Sequence, residues 1–316
     1  MMGFVVALIV VVVVVFLAGP RVKIDTTLRP FTLPPDLDQY LAESEGCFDD
    51  IVPNTEKTIF WAGEPGQKTA VSIIYLHGFS ATRQETAPLA DKVAAALGAN
   101  LFYTRFTGHG RTGQAMAEAT VNDWLNDTME AVAIGRRIGE KVIVIGVSTG
   151  AAAATWLAAQ PHLEDMLAFI LISPNYFPHD RSAAILTWPW GEQIATALIG
   201  PERNWEPSNE AHGRYWTLHY PTKALLPMMG LVKLVSQTDL SRITRPVLII
   251  YSPQDEVVNP QRAEAAFAQM SRADKRIIPI VRAPGESNHV LVGDIMSPDK
   301  TDEMVQMILD FIRVHL

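Results

Sequence analysis

Short apolar runs alternate with longer segments of helical periodicity along most of this 316-residue chain. The apolar runs, rich in valine and isoleucine, cover residues 71–76, 100–106, 141–146, 166–173, 247–252 and 276–281. Helical spacing of apolar side chains is found at residues 87–97, 121–138 and 301–314. Strands that alternate with helices are joined by crossovers, which makes neighbouring strands parallel. Because the runs are apolar on both faces, the sequence predicts an α/β fold with a mostly parallel, doubly wound sheet covered by helices on both faces.

One interval interrupts this alternation. Between residues 173 and 247 no clear strand is found, whereas tryptophan recurs at positions 188, 190, 205 and 216. We interpret residues 176–244, approximately, as an inserted helical cap. The domain that carries this cap is predicted to span residues 57–316.

The N-terminus differs from the rest of the chain. Residues 1–19 carry no charge and are long enough to cross about 30 Å of hydrocarbon as a helix. A cleaved signal is disfavoured because no basic residue precedes the apolar run and Pro20 follows it. Residues 1–19 are therefore predicted to be a single membrane anchor or an uncleaved signal, and Arg21, Lys23 and Arg29 favour a cytoplasmic domain. Residues 20–56, which are rich in proline and acids, are interpreted as a linker or N-terminal extension.

Charge and cysteine content exclude several classes of protein. The net charge of -8 gives no basic face for a nucleic acid backbone. Cys47 is the single cysteine, which excludes an internal disulfide and a thiolate metal cluster. Residues 108–113 match G-x-G-x-x-G, but no helix starts at these glycines and no acid ends a second strand at the expected distance. We therefore expect no nucleic acid partner, no metal and no cofactor, and the oligomeric state is left open.

A serine lies at the sharpest break in the pattern. The pentapeptide at residues 146–150, Gly-Val-Ser-Thr-Gly, follows an apolar run and opens a helix of small residues. A strand, a tight turn and a helix in this order form a nucleophile elbow, in which the serine hydroxyl is exposed at the end of the sheet. Gly146 and Gly150 are expected to be glycine because side chains there would clash with the adjoining backbone. Ser148 is therefore the candidate nucleophile.

A serine hydroxyl needs a general base, and the base needs a group that orients it. Asp255 follows the apolar run at residues 247–252, and His289 follows the next run along the chain. The order Ser148, Asp255, His289 is the one in which successive parallel strands bring a serine, an acid and a histidine together. Glu256 and Glu286 remain alternative acids.

The tetrahedral intermediate of acyl transfer carries a negative oxygen that requires hydrogen-bond donors. The backbone amide of Thr149, at the start of the helix, is one candidate. The second is the amide of Phe79 in the loop after the first apolar run. Gly78 is expected to let this loop turn inward, and His77 to support it by hydrogen bonding.

Together these motifs resemble the α/β-hydrolase family, in particular its bacterial carboxylesterase and monoacylglycerol lipase-like branch. The resemblance covers residues 71–316. It includes the His-Gly-Phe loop at residues 77–79, the Gly-His-Gly loop at 108–110, the elbow, and the loops that contain Asp255 and His289. The resemblance implies the α/β-hydrolase fold and a serine hydrolase that needs no cofactor. The apolar N-terminus and the tryptophan-rich cap match no particular subfamily.

The leading hypothesis is a serine hydrolase that cleaves carboxylic esters through an acyl-enzyme intermediate. The apolar cap and N-terminus favour a lipid-like substrate, such as a monoacylglycerol. The alternatives are a thioesterase, or a serine aminopeptidase or amidase in which Glu202, Glu206 or Glu210 holds the substrate amine. A non-catalytic binding protein on the same fold is a more distant alternative.

Overall fold

The computed structural model describes residues 2–281 and 288–316. The strands are β1 (Thr58–Phe60), β2 (Thr69–Leu76), β3 (Asn100–Tyr103), β4 (Gly139–Val147), β5 (Met166–Ile172), β6 (Glu202–Asn204), β7 (His219–Pro221), β8 (Val247–Tyr251) and β9 (Lys275–Pro279). The helices are α1 (Met2–Leu17), α2 (Leu37–Glu45), α3 (Leu89–Leu97), α4 (Gly113–Met116), α5 (Val121–Ile138), α6 (Thr149–Ala158), α7 (Gly191–Ile199), α8 (Glu210–Tyr215), α9 (Leu225–Gln237), α10 (Pro260–Gln269) and α11 (Thr301–Arg313).

The main sheet has the strand order β1-β3-β2-β4-β5-β8-β9. All of its pairs are parallel except β1 with β3, which is antiparallel. The six strands expected from the apolar runs are present. The edge strand β1 was not predicted, because three residues are too few for a periodic pattern to be recognised.

Helices cover both faces of this sheet, as predicted. On β2, Ile74 and Leu76 pack into one apolar cluster together with α5, α6 and α9, whereas Ile73 and Tyr75 pack into a second cluster with α3 and α11. Alternate residues of one strand point to opposite faces, so both faces of a buried strand must be apolar. The α/β fold that the sequence predicts is confirmed.

The segment between β5 and β8 contains the helices α7, α8 and α9. It also contains an antiparallel pair of strands, β6 and β7, that sequence analysis did not identify and that α8 separates along the chain. Each strand has only three residues, too few to show an apolar alternation. Helix α9 packs against α6, the helix that begins beside Ser148, and Met228 and Met229 of α9 are buried.

The membrane anchor predicted for residues 1–19 is wrong. The helix α1 has 16 residues, which corresponds to about 24 Å at 1.5 Å per residue. No helix among the described residues is long and apolar enough to cross a membrane. The helix stops at Leu17, shortly before Pro20, because proline cannot donate a helical hydrogen bond and disfavours helical backbone in the residue before it. The carbonyl oxygen of Pro20 accepts a hydrogen bond from Trp190 N at 2.8 Å. The prediction that the domain is cytoplasmic depended on this anchor and therefore loses its basis.

Residues 20–56 pack against the domain through specific polar contacts. Glu45, at the end of α2, forms a bidentate ion pair with Arg105 in the loop after β3, with N to O distances of 2.7 and 2.8 Å. Both side chains are buried. The same loop accepts a hydrogen bond at Gly110 O from Val52 N at 2.8 Å. The N-terminal extension therefore holds a loop that contacts the site described below.

Candidate active site

Ser148 lies between the last residue of β4 and the first residue of α6. Its backbone has φ 52° and ψ −113°, a conformation that non-glycine residues rarely adopt. Two glycines allow the turn. A Cβ on Gly150 would lie 2.0 Å from Leu76 O, and one on Gly146 would lie 2.8 Å from Ala151 Cα. Both predicted glycine positions therefore exclude any side chain, and the turn holds Ser148 at the carboxyl end of the sheet.

His289 connects Ser148 to Asp255. Its Nε2 lies 3.0 Å from Ser148 Oγ, and its Nδ1 lies 2.8 Å from Asp255 Oδ2. The other oxygen of Asp255 accepts hydrogen bonds from Val257 N at 2.8 Å and from Val258 N at 2.9 Å. The carboxylate accepts a hydrogen bond from Nδ1–H, which leaves Nε2 free to accept one from the serine hydroxyl. The structure thus brings together the three residues that the sequence places after β4, β8 and β9.

Two other acids, Glu256 and Glu286, were considered as partners of the histidine. Glu256 is exposed, whereas Asp255 is buried and faces His289. Glu286 lies outside the described residues. His289 is held from a further side, because Ser173 Oγ donates a hydrogen bond to its carbonyl oxygen at 2.7 Å. Ser173, which follows β5, was not singled out from the sequence.

The loop after β2 passes close to the serine. A Cβ on Gly78 would lie 3.3 Å from Ser148 Cβ, so the glycine permits this approach. His77 is fully buried, its Nδ1 lies 2.8 Å from Gly78 O, and its Nε2 accepts from Phe106 N at 3.0 Å. Burial lowers the pKa of His77 to about 4, which keeps the ring neutral. Because Nε2 accepts from Phe106 N, the ring proton lies on Nδ1. His77 thus connects the loop after β2 with the loop after β3. Phe79, whose amide is the second predicted oxyanion donor, follows Gly78 in this loop.

Thr149 is the first residue of α6 and is buried beside Ser148. The first amides of a helix lack intrahelical acceptors and lie at the positive end of the helix dipole. The side chain of Thr149 is fixed by Asn175, whose Nδ2 lies 3.2 Å from Thr149 Oγ1. The backbone of Asn175 also donates to Ser148 O at 3.0 Å. Asn175 was missed because an asparagine in a loop after a strand carries no distinctive pattern.

The other candidate sites have no comparable geometry. Within the described ranges, no group of three or more His, Cys, Asp or Glu side chains is placed to hold a metal ion. In the G-x-G-x-x-G segment, a Cβ on Gly113 would lie 2.0 Å from His219 O, so this glycine allows α4 to pack against β7. The acids considered for an amine, Glu202, Glu206 and Glu210, are all exposed. A cavity of about 540 Å³ lies between residues 20–29 and the helices α7 and α9, away from Ser148.

The fold and the order of these residues agree with a known family. The model of the alpha/beta hydrolase family matches residues 73–299. The chain therefore belongs to the alpha/beta hydrolase family. The predictions of this family and of an enzyme of the hydrolase class are confirmed.

Proteins that are similar to this chain in sequence or in structure include lipases and other lipolytic enzymes. The chain is 28% identical over 250 residues to a thermostable monoacylglycerol lipase of Bacillus sp. (strain H-257), an alignment that covers 78% of this chain and 91% of the relative. A solved structure from a study of LipS and LipT, two metagenome-derived lipolytic enzymes, is 23% identical with a TM-score of 0.68, covering 84% of this chain and 100% of the other. The monoacylglycerol lipase of Paleococcus ferrophilus is 14% identical with a TM-score of 0.60, covering 82% and 98%.

Proposed function

We propose that this protein is a serine hydrolase that cleaves carboxylic esters by way of an acyl-enzyme intermediate. The observation that carries the proposal is the continuous hydrogen-bond relay from Asp255 through His289 to Ser148, with distances of 2.8 and 3.0 Å. A nucleophile, a base and a group that orients the base are the minimum set for acyl transfer by a serine. The esterase and lipase names of the relatives support ester substrates.

In the first half of the reaction, Ser148 Oγ attacks the ester carbonyl carbon while His289 Nε2 takes the hydroxyl proton. The carbonyl oxygen becomes negative and accepts hydrogen bonds from the amides of Phe79 and Thr149. Asp255 stabilises the positively charged imidazole that results. The intermediate collapses when the bond to the alcohol oxygen breaks, and His289 gives its proton to that oxygen. The alcohol leaves, and the acyl group stays on Ser148.

In the second half, a water molecule takes the position of the alcohol. His289 removes a proton from the water, and the resulting hydroxide attacks the acyl carbon. The second tetrahedral intermediate uses the same two amides. It collapses to the carboxylic acid when the bond to Ser148 Oγ breaks and His289 returns the proton to the serine. The enzyme ends in its starting state without a metal or an organic cofactor.

We further propose that the ester is lipid-like, as in a monoacylglycerol. The similar proteins from Bacillus and Paleococcus are both named monoacylglycerol lipases, which supports this choice. The segment between β5 and β8 adds support, because its helix α9 brings the buried Met228 close to Asn175 and hence to the start of α6. Methionine side chains are flexible and polarisable, so they fit apolar groups of irregular shape.

The test is the variant Ser148→Ala, assayed with p-nitrophenyl acyl esters. Loss of the nucleophile should lower kcat at least about 10⁴-fold. Ser236→Ala, which changes an exposed serine on α9, is the control and should keep wild-type turnover. Undiminished ester turnover in Ser148→Ala would reject the proposal.

Substrate class is tested with the wild-type protein. The panel contains acyl esters from C2 to C16, a monoacylglycerol, an acyl thioester and aminoacyl anilides. We expect a higher kcat/KM for the monoacylglycerol and the longer acyl esters than for the C2 ester and the anilides. Faster cleavage of anilides than of every ester would contradict the assignment to esters.

A further inference from the structure

The carboxyl group of Glu85 lies behind the loop that carries the proposed oxyanion donor, although Glu85 belongs to none of the motifs above. It stands in a short turn between β2 and α3 and is 3% exposed. Its Oε1 accepts a hydrogen bond from Gly78 N at 2.7 Å and another from Tyr75 Oη at 3.0 Å. Thr86 Oγ1 lies 2.6 Å from the same tyrosine oxygen, which fixes the tyrosine in turn. The carboxyl group is therefore oriented by β2 and by its own turn.

Gly78 lies close to both this carboxyl group and the nucleophile. A Cβ on Gly78 would lie 2.8 Å from Glu85 Oε2 and 3.3 Å from Ser148 Cβ. Glu85 and Ser148 therefore both border the space that a side chain at this position would occupy. A change in the shape or position of the carboxyl group would move the loop relative to Ser148.

The peptide group that joins Gly78 to Phe79 and the peptide group before it are each held by one hydrogen bond. The carbonyl oxygen of Gly78 lies 2.8 Å from Nδ1 of His77, while the amide on the other side of Gly78 donates to Glu85. A peptide group is planar, so fixing the Gly78 carbonyl also fixes the direction of the Phe79 N–H. His77 therefore sets the plane of this peptide, and Glu85 sets the location of the glycine from which it starts.

We propose that Glu85 is a positioning residue for the oxyanion hole, acting through the hydrogen bond that it accepts from Gly78 N–H. This inference rests on the proposed function, because it assigns a role to the Phe79 amide in acyl transfer. An oxyanion donor stabilises charge that exists only in the transition state, and its contribution depends on its placement. A displacement of the order of 1 Å is able to cost about 100-fold in rate.

The charge state of Glu85 is compatible with this role. Burial raises the pKa of Glu85 to about 8. At pH 7 the carboxyl group is therefore mostly neutral, and it does not oppose the negative oxygen that forms at the Phe79 amide. Its carbonyl-type oxygen still accepts the Gly78 N–H in the neutral form.

The experiment compares Glu85→Met with Glu85→Gln. Glutamine retains an oxygen that accepts from Gly78 N–H, whereas methionine has a similar length and no such acceptor. We expect kcat of Glu85→Met to fall at least about tenfold with KM within about threefold of wild type, since the lost stabilisation belongs to the transition state. Glu85→Gln should keep kcat within about threefold. End-point labelling with a fluorophosphonate counts the folded sites, and kcat is expressed per labelled site.

Two further variants complete the test. Tyr75→Phe removes the second donor to Glu85 Oε1 and should lower kcat about threefold with KM unchanged. Asp127→Asn is the control, because Asp127 is a partly buried carboxyl that also accepts a backbone amide, Thr107 N, at 2.7 Å, but outside the oxyanion loop. It should keep kcat per labelled site within about twofold.

The outcomes separate the two proposals. Wild-type kcat per labelled site in Glu85→Met, or equal losses in Glu85→Met and Glu85→Gln, would overturn the role of Glu85. If Glu85→Met does not fold, wild-type kcat in Tyr75→Phe overturns it instead. Ser148→Ala is measured in the same series, and full turnover in that variant rejects the proposed function itself.

Discussion

At the scale of single residues, the backbone of Ser148 is the clearest departure from ordinary geometry. A positive φ costs a non-glycine residue of the order of 1–3 kcal/mol and persists only where the surroundings enforce it. Here Ser148 N donates to Ile172 O at 2.9 Å, and Ser148 O accepts from Asn175 N at 3.0 Å and from Ala152 N at 3.1 Å. Hydrogen bonds to β5, to the loop after it and to α6 thus maintain this strained backbone conformation. The conformation directs the Ser148 hydroxyl toward His289.

The close approach of α6 to β2 gives a prediction about Gly150. In Gly150→Ala the new methyl group would lie 2.0 Å from the backbone oxygen of Leu76, which is unable to move without disturbing the sheet. Overpacking of this kind costs about 1–3 kcal/mol or more. We expect the free energy of unfolding, measured with urea, to fall by at least about 2 kcal/mol. Gly63→Ala is the control, because a Cβ there meets nothing within 4 Å, and equal stability of the two variants would contradict the prediction.

The buried carboxyl of Glu85 gives a prediction about pH. Burial raises its pKa in the folded protein to about 8, from an ordinary value of 4.5 for glutamate. Between these values the folded state holds a proton that the unfolded state has lost, so the contribution of Glu85 to stability falls as pH rises. The slope is about 1.4 kcal/mol per pH unit. Glu85→Gln does not titrate, so its free energy of unfolding relative to wild type should increase from pH 5.5 to pH 7.5. A difference that is constant with pH would contradict the raised pKa.

At the scale of secondary structure elements, the site follows from which strand ends lie next to each other. Ser148 follows β4, Asp255 follows β8 and His289 follows β9, and β4, β5, β8 and β9 are consecutive in the sheet. Apolar β-branched runs made these strands predictable. The supporting contacts were not predictable, because Glu85 and Asn175 acquire their partners only through tertiary packing and their local sequences resemble many others. Strands of three residues, such as β1 and β6, carry too little pattern to be identified.

The attachment of α2 to the loop after β3 gives a prediction at this scale. Glu45→Gln leaves the buried guanidinium of Arg105 without its countercharge, and loss of one partner of a buried ion pair typically costs about 3–5 kcal/mol. We expect a loss of about 3 kcal/mol in the free energy of unfolding. Glu43→Gln, an exposed substitution on the same helix, should change stability by less than about 0.5 kcal/mol. Similar losses in both variants would show that the ion pair contributes nothing specific.

At the scale of the whole molecule, the sequence predicted the family and the fold, and it failed at the N-terminus. The apolar composition of residues 1–19 suggested a membrane anchor, but composition alone does not indicate the residue at which a helix ends. In the structure, Gly19 packs against the ring of Trp190, and Trp190 N donates to Pro20 O, so the chain leaves its helix to contact the segment between β5 and β8. Residues 20–56 then continue along the domain to the ion pair of Glu45 with Arg105. Residues 19–56 thus contribute to the packing of the segment between β5 and β8 and of the loop after β3.

The central claim is that Ser148 is the nucleophile, and the most direct measurement is peptide mass spectrometry after treatment with a fluorophosphonate. In the wild-type protein we expect a single adduct, on Ser148, that forms in parallel with the loss of ester turnover. The folded variant Ser148→Ala should carry no adduct and show no turnover. An adduct on a different serine, or turnover that survives complete modification of Ser148, would contradict the account.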